Sequence, residues 1–404
     1  MFKYIVRVSL LVMLVSCFAG SAFAWDEVGH KVTAYIAWQR MTPEVRERVV
    51  KILLSAPEDS QIATFYLPYG SRSSEAKKRE FFMLMASWPD IIRDKAFDTR
   101  FKKYANGNWH YADTFWKWDG GKAVLVESSE AGGLAMQKLI DFNQLIRGSA
   151  SDPEKAVAIA WIEHLVGDLH QPLHTSGKVN DSNPKGDQGG NLFFLTPKGT
   201  PRDKQENLHS FWDSIIGKYQ PNSKDLCDAD FIDPIAQEII KLYPYEKVKS
   251  NLNPDKFDLW AKESLDYAMT EVYKEVKFFE TPSDKYRKKA FGIAQERMAL
   301  AGYRMGDLFN EVFGAKSNVV SDNTIPCKII RRVKYPVTQT SSVKQTLEIA
   351  LLDLCPSQVA ARPMYPFMID GQPVMKEYDV VKTFKTEAEA RKYAAENNIR
   401  DLVF

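Results

Sequence analysis

Residues Trp161–His174 (WIEHLVGDLHQPLH) hold three of the chain's six histidines and an aspartate within fourteen positions. The segment continues a helix that starts at Ser151-Asp-Pro-Glu154, a capping hydroxyl with proline just inside the cap. On that helix His164 and Asp168 are four residues apart and lie one above the other on one face. A neutral imidazole nitrogen and a carboxylate at that spacing make half of a zinc site. Pro172 ends or kinks the helix, so His174 points elsewhere and serves a different ion. One segment can therefore feed two metals, and the rest of the chain has to bring further ligands to it.

The other histidines supply candidates. His209 and Asp213 in Asn207-Leu-His-Ser-Phe-Trp-Asp213 repeat the His-x-x-x-Asp spacing, His30 lies five residues after Trp25, and His110 sits in Trp109-His-Tyr-Ala-Asp113. A lone His-x-x-x-Asp is ordinarily a capped or salt-bridged surface pair. Two such pairs among the other motifs turn the reading toward metal. His170, two residues past Asp168, faces away from that carboxylate and reads as a core or supporting residue.

With 404 residues, 45% of them hydrophobic and 26% charged, the chain is of globular and soluble composition. Residues 1–24 follow a signal-peptide plan: Lys3 and Arg7, an apolar run from Val8 to Val15, then Ala22-Phe-Ala24 as a small-x-small cleavage site. Leu14-Val15-Ser16-Cys17 also matches a bacterial lipobox, which would make a lipid-bearing Cys17 the first residue. No later stretch is long and apolar enough to span a membrane, so an exported, soluble protein is expected, periplasmic or secreted. Removal of residues 1–24 leaves 52 basic against 52 acidic residues. Such a balance argues against nucleic-acid binding through phosphate neutralisation alone. Of the remaining cysteines, 227, 327 and 355, export permits a disulfide, with Cys327–Cys355 the favoured pair.

Up to about Phe313 the chain reads as successive helices. Thr42-Pro-Glu44 starts one, 74–93 forms another, 130–146 a third, and further helices cover 207–217, 233–242, 255–279 and 283–313. Residues 178–190 form a polar, glycine-rich loop. Past a polar linker at 314–325, residues 326–404 read as a β-α-β-β-α-β, ferredoxin-like α+β module, with strands at 328–337, 365–369, 378–384 and 401–404 and helices at 342–354 and 386–397. It carries no histidine and no readable role.

The ordered motifs, an N-terminal Trp with His five residues on, then SWxD, WHYxD, HxxxDxHQPLH, GGN and NLHSxWD, resemble those of the zinc-dependent single-strand nucleases and 3′-nucleotidases of fungi, plants and bacteria, relatives of bacterial zinc phospholipase C. The resemblance covers residues 25–313. It implies an all-α catalytic domain and three zinc ions. Asp90, His110, His164 and Asp168 would hold one; His174, His209 and Asp213 a second; the amino and carbonyl groups of Trp25, with His30 and the shared Asp168, the third. It further implies base stacking on Tyr111, base contacts from Asp113 and the Gly189–Asn191 loop, and phosphate binding by Arg93 and Asn191. Pro89 and Arg93 depart from the family's usual pattern, and the loop between His174 and Gly189 is long.

The expected activity is endonucleolytic cleavage of single-stranded DNA and RNA to 5′-phosphorylated products, with 3′-nucleotidase activity. Asp90 would be both ligand and orienter of the attacking hydroxide. Zinc lowers the pKa of bound water to about 7, and a free α-amino group titrates low enough, at about 8, for zinc to displace its proton. Read from the residues alone, Tyr111 could be a core aromatic, Asp113 an orienter of His110, and Arg93 an ion-pair partner. The aromatics Trp109, Phe115, Trp116 and Trp118 read as packing. A phospholipase-C-like phosphodiesterase, or a binding protein dominated by the tail, are the competing functions.

Overall fold

A computed structural model describes residues 25–66, 73–127, 132–224 and 226–314, together with the backbone of 327–332, 368–369, 372–373 and 378–384. The described part of 25–314 is built mainly of helices: α1 (Glu27–Arg40), α2 (Pro43–Leu54), α3 (Ser74–Met85), α4 (Trp88–Ile91), α5 (Asp98–Tyr104), α6 (Ala135–Arg147), α7 (Asp152–His170), α8 (Leu208–Asp213), α9 (Ile215–Tyr219), α10 (Asp228–Leu242), α11 (Tyr245–Val248), α12 (Phe257–Tyr267) and α13 (Asp284–Gly314). It is the mainly helical domain expected, with one small sheet.

Local chemistry sets several starts. Thr42 accepts the Val45 N–H ahead of Pro43, and Ser151 and Glu154 close a reciprocal capping box at the head of α7. From Ala158 to His170 every residue of α7 is buried, because α1, α2, α6, α12 and α13 all pack around it. A helix surrounded on all sides is normally apolar throughout. Here Glu163, His164, Asp168 and His170 lie inside, and each has to find a partner or lose several kcal/mol on the order of a desolvated charge.

Several elements differ from the expected pattern: the helix expected over 255–279 stops at a π-turn ending at Val272, that over 207–217 divides at Ser214, and two further departures shape the site. The helix anticipated over 74–93 is broken into α3 and α4, since Pro89 has no N–H to donate and the Asp90 N–H turns to the Ser87 carbonyl instead. The carbonyl of Ala86 is thereby released. Residues 114–125, expected within the helical run, form a hairpin of β1 (Thr114–Asp119) and β2 (Lys122–Leu125). Its turn holds Gly120 and Gly121 at positive φ, the conformation a two-residue hairpin favours. β1 also pairs in parallel with β3 (Ser176–Lys178), directly after His174.

In the tail, Cys327–Arg332 and Tyr378–Phe384 pair antiparallel, as do Met368–Ile369 and Gln372–Pro373. The helices expected at 342–354 and 386–397, the strand at 401–404, the signal segment 1–24, the linker and the Cys327–Cys355 pairing lie outside the described residues. Among the described residues no helix is long and apolar enough to cross a membrane.

Candidate metal centre

His164 and Asp168 meet on one face of α7, Nε2 lying 3.3 Å from Oδ2. The His164 ring is oriented from behind: its Nδ1–H donates to the Ala86 carbonyl at 2.7 Å, the group freed by the α3–α4 break. Nε2 is left with its lone pair. His110 Nδ1 stands 2.7 Å from that nitrogen, 3.7 Å from Asp168 Oδ2 and 3.8 Å from Asp90 Oδ1. Asp90, His110 and His164 thus direct one atom each to a common point.

The other oxygen of Asp168 serves a second cluster. Oδ1 lies 3.4 Å from His30 Nε2, and the His30 ring stacks on His164 at 4.1 Å. Gly167 permits this approach, since a Cβ there would stand 2.8 Å from His30 Nδ1. Trp25 is buried beside them. Among the described residues, neither oxygen of Asp168 nor either ring nitrogen of His30 has a hydrogen bond.

The third cluster joins the break after α7 to α8. His174 donates Nδ1–H to the His110 carbonyl at 2.6 Å, and His209 donates Nδ1–H to the Gly189 carbonyl at 2.7 Å. Their Nε2 atoms lie 3.7 and 3.3 Å from opposite oxygens of Asp213. Gln171 Nε2 donates to Asp213 Oδ1 at 2.6 Å, and the Asp26 N–H donates to the Asp213 carbonyl at 2.9 Å. The Trp25-Asp26 segment is thereby tied to this cluster as well.

The electrostatics suit a cation. Burial pushes the carboxyl of Asp90 up to about 7. Burial, then the neighbouring carboxylates, drive Asp168 well above the usual carboxylate range. Asp213 is raised chiefly by burial too. Burial takes the His164 imidazole down to about 3, and burial with neighbouring imidazoles depresses His30 and His110. These rings are therefore neutral bases, in the form metals bind. Three pockets of convergent lone pairs, with three histidines oriented by backbone carbonyls, fit divalent ions.

The remaining expected residues form a rim. Arg93 lies 3.5 Å from Asp90 Oδ1 and is partly exposed. Tyr111 is half-buried, its ring against Gly133. Asp113 accepts from the Ser176 N–H, and its carboxyl is raised by burial and then by the charge of Asp187. Asn191 turns its side-chain amide back to the Gln188 carbonyl at 2.9 Å. Trp116 is fully buried and Trp109 packs on Trp161, in line with a packing role, whereas Trp118 is 39% exposed.

His170 is fully committed elsewhere: Nδ1–H donates to the Val166 carbonyl and Nε2 accepts from Arg304 at 2.7 Å. Gln171, Asp187 and Tyr273 were not among the expected site residues. Gln171 stands inside the HQPLH motif and Asp187 inside the polar, glycine-rich loop just before GGN, both visible signals, whereas Tyr273 comes from a segment with no local pattern.

A profile of the S1/P1 nuclease family matches residues 25–314. Endonuclease 2 of Arabidopsis thaliana is 24% identical over 311 residues, 73% of this chain and 93% of that protein. Nuclease S1 of Aspergillus oryzae is 22% identical over 298 residues, covering 70% and 90%. Nuclease P1 of Penicillium citrinum is 24% identical over 212 residues, covering 51% and 63%.

Proposed function

The chain belongs to the S1/P1 nuclease family and is a hydrolytic nuclease acting on phosphodiester bonds, and on that premise we propose that it is an exported, zinc-dependent endonuclease of single-stranded DNA and RNA. It leaves 5′-phosphorylated products and has 3′-nucleotidase activity. The observation that carries this reading is Asp168, buried without a hydrogen bond among the described residues and offering one oxygen to each of two clusters.

In this proposal three zinc ions are held per chain. Asp90, His110, His164 and Asp168 hold one, His174, His209 and Asp213 another, and His30, Asp168 and the Trp25 amino and carbonyl groups the third, once cleavage after Ala24 frees that amine. Imidazole and carboxylate donors suit zinc. Bound zinc supplies Lewis acidity, lowering the pKa of water at the site to about 7 and screening phosphate charge. Asp90 orients the attacking water. Arg93 takes a non-bridging phosphate oxygen with its guanidinium, and Asn191 contacts the same phosphate. Tyr111 stacks on a base, while Asp113 and the 189–191 turn meet the base edge.

The test is zinc per chain and turnover on exported, processed protein. Three zincs and faster cleavage of single-stranded than duplex DNA are expected. No bound zinc, or preferred turnover of phosphatidylcholine, overturns the proposal.

A further inference from the structure

We propose that Asp187 is a positioning residue that holds the 188–191 turn against His209 on one side and the substrate on the other. The inference rests on the nuclease reading only for its substrate-facing half. The Asp187 carboxylate accepts from the Lys178 N–H at 3.0 Å, from the Tyr273 hydroxyl at 2.6 Å and from the Gly190 N–H. Its main-chain N–H donates to the Lys178 carbonyl at 2.9 Å, and its carbonyl accepts from Leu192 at 3.1 Å. One residue, 1% exposed, thus ties the turn to β3 and to Tyr273.

What it holds would not hold itself. Gln188, Gly189 and Gly190 are consecutive left-handed residues, with φ of 55°, 60° and 83°. Gln188 carries a Cβ and disfavours that conformation, which persists only where surrounding contacts over-determine it. The turn is also seated closely. A Cβ on Gly189 would run into the Leu173 carbonyl and stand 3.2 Å from His209 Nδ1. Its carbonyl is the acceptor that orients the His209 ring, so displacement of the turn rotates that imidazole. Asn191 closes the same turn onto the Gln188 carbonyl and moves with it.

The opposite side shows the same design. β3 uses one edge for β1, where Val179 donates to the Trp116 carbonyl. Its other edge offers the N–H groups of Ser176 and Lys178, which go to Asp113 and Asp187 respectively. The two carboxylates are therefore set side by side along one strand edge, so Asp187 also fixes the surroundings of Asp113. A residue that merely closed the loop would affect stability and leave substrate affinity and metal retention alone.

The experiment compares exported, processed, zinc-loaded wild type with Asp187→Ala, Asp187→Glu, Asp187→Asn and Tyr273→Phe. It reads hydrogen exchange over 186–193, zinc release to a competing chelator, and KM and kcat on a single-stranded oligonucleotide. Asp187→Ala is expected to speed exchange and the release of one zinc about tenfold or more, the usual scale for residues behind a metal ligand. With zinc in excess its KM rises about tenfold while kcat moves less. Asp187→Glu keeps the charge but displaces the turn, and shifts all readings the same way. Tyr273→Phe, which removes one of three donors, gives a smaller shift. Asp187→Asn keeps an acceptor for Lys178 and can donate to the Tyr273 hydroxyl, and restores the readings to near wild type. A folded Asp187→Ala, or a folded Asp187→Glu if the alanine chain does not fold, with unchanged zinc release and KM overturns the proposal. Wild type that cleaves no single strand defeats the nuclease reading alone, because exchange and zinc release are measured without substrate.

Discussion

Two faces of α7 bury imidazole in opposite ways. Toward α12 and α13, His170 accepts from Arg304, its carbonyl takes a bond from Arg297, and both arginines reach Glu263 at 2.8 Å. Toward α1 and α4, His164 turns Nε2 to His110 Nδ1 and Asp168, and among the described residues the carboxylate beside them has no hydrogen-bond donor. The His170 and His164 rings are both fully buried. The first is satisfied within the protein and acts as a scaffold; the second is satisfied only by something added. A buried histidine alone is thus no sign of a ligand, and the direction of its second nitrogen is what separates the two cases.

Asp168 carries the largest expected effect. Asp168→Ala should lower turnover by about 10³-fold or more, beyond the usual cost of one transition-state contact, and reduce metal content by more than one ion. Wild-type-like turnover in that variant would remove the bridging role. At the rim, Tyr111→Ala should raise KM roughly 5- to 150-fold, the equivalent of the 1–3 kcal/mol expected for one stacked base, with metal content retained. An unchanged KM would return Tyr111 to the core.

Acidity sharpens the same contrast. Metal-free Asp90 holds a proton below about pH 7, because burial raises its carboxyl, and it must release that proton to a metal. Metal affinity should therefore fall as pH drops through about 7, by up to about tenfold per unit for each competing proton. The His164 ring, at about 3, does not compete in that range. Zinc titrations at pH 5, 6 and 7.5 would check the sign, and a flat profile would exclude Asp90 as a ligand. On the scaffold face, His170→Leu should cost about 1–3 kcal/mol of stability by leaving the Arg304 bond unmade, measured by denaturant unfolding. Its metal count should stay that of wild type. Loss of a zinc from that variant would show that the faces are coupled.

Where the information was local, the sequence was legible. Caps at Thr42 and Ser151, the His-x-x-x-Asp pairs on α7 and α8, and the proline after His170 act within a few residues, so their consequences could be read from spacing. The α3–α4 break was legible in cause, Pro89, but not in effect, because the released Ala86 carbonyl finds His164 78 residues away. The hairpin at 114–125 had its Asp-Gly-Gly turn in view, yet its pairing with β3 depends on the chain returning after His174.

Residue type and helical period already fix which donors exist and which helical face presents His164 with Asp168 and His209 with Asp213. Long-range packing is what makes Asp168 serve two clusters, lets backbone carbonyls choose the tautomers of three histidines, and sets Asp187 against a left-handed turn. Those outcomes depend on groups distant in sequence meeting in a dry interior. There an unmatched lone pair costs enough to dictate its partner, and no local pattern encodes which partner arrives.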